Sequence, residues 1–129
     1  MNLSLEIRPE AGAEADSCFD PKRRPVDLTH LARYTMGNSA IEQEVLDLFR
    51  RQTRLYFGKL SEAATPEAWH DAARVLMASA QSIGAWQLLR AAEMAERLSF
   101  ASPLPVRLEM LRSLRSEIDE ANQFIDGLR

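Results

Sequence analysis

The chain has 129 residues, 46% apolar and 27% charged, with a formal net charge of −3. That length and balance describe one globular domain that buries a single hydrophobic core without help from metals or disulfides. Arginines interleaved with Glu and Asp leave no basic footprint for nucleic acid, and the one cysteine, Cys18, excludes an intramolecular disulfide and suits a reducing compartment.

Residues 1–25 mix Glu, Asp, Ser, Pro and Gly and close on Pro21-Lys22-Arg23-Arg24-Pro25. With so little periodic apolar surface to offset ordering entropy, they are expected to form a flexible N-terminal arm ahead of a helical domain at 26–129. The first ten residues lack the apolar run of a signal peptide. No stretch approaches the ~20 apolar residues of a bilayer-spanning helix, so a cytoplasmic protein away from membranes is expected.

The first helix is expected from Asp27, a good N-cap, with Leu28, Leu31, Ala32 and Tyr34. It ends at Met36-Gly37-Asn38, where Gly or Asn takes the left-handed cap conformation. Ser39 and Glu42 then form a capping box for a second helix, which runs to about Leu60. Its apolar stripe is read as Ile41, Val45, Leu48, Phe49, Leu55, Tyr56 and Leu60. Thr65-Pro66 restarts the chain as cap and first helical residue, with Glu67 and Asp71 suiting the helix dipole. This third helix presents Ala68, Trp69, Ala72, Ala73, Leu76, Ala80 and Ile83 before Gly84 interrupts it. A fourth helix from Ala85 turns Trp86, Leu89, Ala92 and Leu98 inward. After the break at Ala101-Ser102-Pro103-Leu104-Pro105, a last helix over 106–127 carries Leu111, Leu114, Ile118, Ala121 and Ile125. Nothing reads as a strand. The expected fold is all-α, an antiparallel four-helix bundle with an additional N-terminal helix.

Residues suited to catalysis are sparse. The two histidines, His30 and His70, fall in no metal-ligand spacing, and the five glycines are too scattered to cradle a phosphate. Glu42 with Glu44, and Glu117 with Asp119, are two residues apart and diverge on a helix, so neither pair shares acid–base work. Trp69 and Trp86 read as packing residues, and His30, beside Leu31, as structural or exposed. No metal and no cofactor are expected.

The informative stretch is Trp69 to Trp86, in which small residues lead into Ile83-Gly84-Ala85-Trp86. It resembles the histidine-containing phosphotransfer (HPt) domain, whose central helix carries a pattern like Ala-His-x-Leu-Lys-Gly-Ser. The matching residues here are Ala73-Arg74-Val75-Leu76-Met77-Ala78-Ser79. The resemblance covers about residues 26–98, including the opening Pro25-Val26-Asp27-Leu28; the last helix fits in general character. It implies a helical bundle whose histidine exchanges a phosphoryl group with the aspartate of a response-regulator receiver domain.

The departures fall on the chemistry. Arg74 stands at the phosphoacceptor position, and a guanidinium is permanently protonated, with no lone pair to attack phosphorus. Met77 replaces the lysine, and Ala78 puts a methyl where the family has glycine. The resemblance therefore implies a degenerate domain that is not an enzyme and that binds a receiver domain or a histidine kinase. The partner face it implies comprises His70, Arg74, Met77, Ala78 and Gln81.

Two alternatives stand beside this. His70, one turn before Arg74, would be the nucleophile of a phosphotransferase; the plain reading is a surface histidine. The chain would otherwise be a structural bundle, a monomer or weak homodimer joined through Leu111, Leu114, Ile118 and Ile125.

Overall fold

The computed structural model describes residues 24–98 and 100–128. Apart from Arg24 and Pro25, the expected arm at 1–25, with Cys18, lies outside the described residues. The described residues form five helices, without a strand among them. None of these helices is long and apolar enough to cross a membrane.

Helix α1 (Leu28–Thr35) starts where expected: the Asp27 carboxylate accepts from the His30 N–H at 3.1 Å. Its end differs. Met36 (φ 55°) and Gly37 (φ 74°) both adopt left-handed backbone, while Asn38 is extended and caps the next helix. The Asn38 side chain accepts from the Ile41 N–H at 3.0 Å, so Ser39 is already the first residue of α2 (Ser39–Ser61). The expected Ser39–Glu42 capping box is thus displaced by a better-placed cap one residue earlier.

The buried face of α2 also departs from expectation. It consists of Leu46, Phe49, Thr53 and Leu60, whereas Ile41, Leu48 and Leu55 are exposed. Thr53 enters the core because its hydroxyl donates to the Phe49 carbonyl at 2.9 Å, satisfying the polar group within the helix. Thr35 does the same toward Leu31 at 3.0 Å.

Thr65 caps α3 (Pro66–Ile83), accepting from the Ala68 N–H. Trp69, Ala72, Ala73, Leu76, Ala80 and Ile83 are buried as the periodicity predicts, and Ala68 is exposed. Across Gly84-Ala85 the chain enters α4 (Trp86–Arg97), which buries Leu88, Ala91, Ala92 and Ala95. Trp86, Leu89 and Leu98, expected inward, are only partly buried, because the two-residue connection turns the Leu88 face toward α3. The alanines of α3 and α4 allow these helices to approach closely, and the Trp69 indole N–H donates to the Ala95 carbonyl at 2.8 Å.

The last helix, α5 (Leu104–Gly127), begins two residues before the expected start. Leu114, Ile118, Ala121 and Ile125 are buried, and Leu111 packs against the same core. The stripe considered for self-association is therefore spent inside the molecule. Helix α2 packs on α3, α3 on α4 and α4 on α5, while α5 returns to α2 and α1 rests on α2 and α3. Each large apolar side chain buried this way contributes about 1.5–3 kcal/mol.

Candidate functional site

One face of α3 follows from the core it buries. With Trp69, Ala73, Leu76 and Ala80 inward, the 3.6-residue repeat turns His70, Arg74, Ala78 and Gln81 away from the interior. Arg74, Ala78 and Gln81 are exposed, and His70 is half-exposed. Met77 lies at the margin and is partly buried against the core, so of the five expected face residues it serves packing as well. Arg74 makes no ion pair or side-chain hydrogen bond among the described residues. Its guanidinium offers up to five donors to a partner.

His70 is held across the α3–α4 interface, its Nδ1 3.2 Å from Oε2 of Glu96. A carboxylate can only accept, so the proton of that contact resides on Nδ1, which leaves the lone pair of a neutral ring on Nε2. Four residues of helix separate His70 from Arg74, a displacement of about 6 Å along the axis.

The lower end of the face is braced by a polar junction that sequence reasoning did not identify. The ring of His30 packs edge-on to Trp86 at 4.9 Å between centroids, and its Nε2 lies 2.9 Å from the Gln81 carbonyl, to which it donates. The Trp86 indole N–H donates to Oδ2 of Asp27 at 2.9 Å, and the Asp27 N–H donates to the Gly84 carbonyl at 3.0 Å. Asp27 thus caps α1 with one oxygen and holds the start of α4 with the other. Gly84 completes the junction, for its φ is +73° and a Cβ there would lie 2.7 Å from the Asp27 Cβ. This assigns Ile83-Gly84-Ala85-Trp86 a structural task, fixing the end of α3 against the start of α1.

Among the described residues no group of three or more His, Cys, Asp or Glu side chains is placed to hold a metal ion. The face thus presents the Arg74 guanidinium, the Ala78 methyl, the Gln81 amide and a His70 imidazole oriented by Glu96. In comparisons with known proteins, no family model, no curated protein and no solved structure matches the chain.

Proposed function

We propose that the chain is a non-catalytic, HPt-like signalling adaptor that binds a response-regulator receiver domain or a related two-component signalling domain, such as a histidine kinase, in the cytoplasm. In this reading α2 to α5 constitute an antiparallel four-helix bundle, α1 is the additional N-terminal helix, and residues 1–25 are a flexible arm. The reading rests on the resemblance over about residues 26–98, with its motif in residues 73–86. The observation that carries it is the outward placement of Arg74 on a helix whose packing positions are all filled. A phosphoryl-accepting carboxylate pocket on a partner would meet a permanent cation there, and a charge-assisted contact replaces phosphate transfer. The adaptor would then modulate a phosphorelay by occupying a docking surface without carrying phosphate.

Titrating the purified chain against isolated receiver domains by calorimetry tests this. Binding is expected, with Arg74→Ala weakening it about tenfold or more, the loss of roughly one charge-assisted hydrogen bond. Absence of binding to every receiver, or an unchanged affinity in Arg74→Ala, rejects it.

The His70–Glu96 pair favours one second reading, a phosphotransferase using His70. Nε2 would attack the phosphorus of a partner's aspartyl phosphate, forming an N–P bond as the P–O bond breaks and the carboxylate departs. Incubation with a phosphorylated receiver should then give an acid-labile label that His70→Ala abolishes; an unlabelled chain rejects this reading.

A further inference from the structure

Helix α2 carries two apolar stripes, only one of which faces the core. Ile41, Leu48 and Leu55 recur every seven residues and remain 44%, 47% and 53% exposed. At 100° per residue this seam lies roughly 130° from the stripe of Leu46, Phe49, Thr53 and Leu60, so it occupies the outer side of the helix. Seven-residue spacing is the repeat that keeps an apolar seam facing a second helix.

The charges along α2 are segregated. Glu42, Glu44 and Asp47 occupy its N-terminal half, and Arg50, Arg51, Arg54 and Lys59 its C-terminal half. A parallel copy would oppose like with like. An antiparallel copy opposes acidic half to basic half twice over, and an isologous two-fold interface requires that reciprocity.

We infer that this face is a homodimer interface, in which α2 packs antiparallel on α2 of a second copy about a two-fold axis at Leu48. In that register Leu48 meets its own counterpart and Ile41 meets Leu55 of the other copy. The C2 operation brings the same flank of each helix together. Glu44 and Arg51, both exposed and on one flank, then form two reciprocal ion pairs across the seam. Arg50 faces elsewhere, pairing with Asp126 of α5 in its own chain. The inference is independent of the α3 face, since α2 contributes none of its residues.

Sedimentation velocity on the full chain over a concentration series reads the dimerisation constant, with circular dichroism monitoring folding. Leu48→Glu places two carboxylates on the axis and should weaken association at least tenfold. Glu44→Arg and Arg51→Glu should each weaken it, and the combined variant should return toward the original constant, since the pairs are then re-formed with reversed sign. In a Cys18→Ser background, Leu48→Cys should form an intermolecular disulfide with itself under mild oxidation, and Leu46→Cys should not. A chain that stays monomeric at every concentration overturns the inference. So does a dimer indifferent to Leu48→Glu, or a charge-swapped double variant no better than the single ones.

Discussion

At Gly84 two independent restraints coincide: a left-handed backbone and a Cβ position occupied by a neighbour. Alanine there must relax the φ of +73° and displace Asp27, whose carboxylate serves both α1 and Trp86. Gly84→Ala should therefore destabilise the fold by about 2 kcal/mol or more, measured by urea denaturation, whereas Gly58→Ala, inside α2 where the added Cβ meets nothing, should stabilise it by up to about 1 kcal/mol. A loss below about 0.5 kcal/mol at Gly84 would show that the junction adapts freely. The sequence singled out Ile83-Gly84-Ala85-Trp86 as a motif but not its physical task, because the partner of Trp86 is Asp27, 59 residues away. Local spacing identifies a cap or a turn; it does not identify a second hydrogen bond made by the capping oxygen's neighbour. Arg74 was legible because its position relative to Leu76 and Ala80 fixes the face it takes. The proposed loss of chemistry there is reversible on paper: Arg74→His with Met77→Lys and Ala78→Gly restores an imidazole, a cation and an open flank. If the α3 face docks as proposed, this triple variant should acquire acid-labile phosphate from a phosphorylated receiver that leaves the parent chain unlabelled. Failure to label a folded triple variant would count against the docking geometry. Ala78→Gly should itself lower stability by about 1 kcal/mol.

At the scale of the element, α3 and α2 differ in how fully a sequence states its inward face. The apolar residues of α3 fall in one arc, so Trp69, Ala72, Ala73, Leu76, Ala80 and Ile83 were identifiable from periodicity alone. Helix α2 has apolar residues on two arcs, and a reading that merges them selects Ile41, Leu48 and Leu55 as core. The arbiter is Thr53, a polar residue within the true stripe whose hydroxyl is satisfied by the Phe49 carbonyl. Neighbouring leucines make the distinction measurable. Leu46 is 2% exposed and Leu48 is 47% exposed. Leu46→Ala should lower stability by about 2–5 kcal/mol through lost transfer energy and the cavity it leaves. Leu48→Ala should change it by no more than about 0.5 kcal/mol in solution too dilute for the inferred dimer to form. Equal losses would place the core face of α2 incorrectly.

For the whole molecule, the sequence supplied the number of helices and most of their limits, since Asp27, Thr65-Pro66, Gly84 and the prolines at 103 and 105 are punctuation written locally. It did not supply which helices touch. That α5 closes on both α4 and α2 depends on side chains far apart in sequence, and the ion pair between Arg50 and Asp126 is one such link. This closure has a thermodynamic consequence. Every helix contributes side chains to one continuous core, from Val26 before α1 to Ile125 near the end of α5. Among the described residues no helix has a separate hydrophobic cluster on which to persist alone, and isolated helices of these lengths are marginal in water. Unfolding should therefore be two-state. Trp69 and Trp86 report on the α3–α4 region, whereas far-UV circular dichroism averages over all helices, including α5. The two probes should give one urea midpoint and one slope, about 1–3 kcal/mol per molar. If α5 were a detachable element, ellipticity would fall before tryptophan fluorescence changed. Coincident curves require instead that Leu114, Ile118 and Ile125 leave the core in the same step that exposes Trp69.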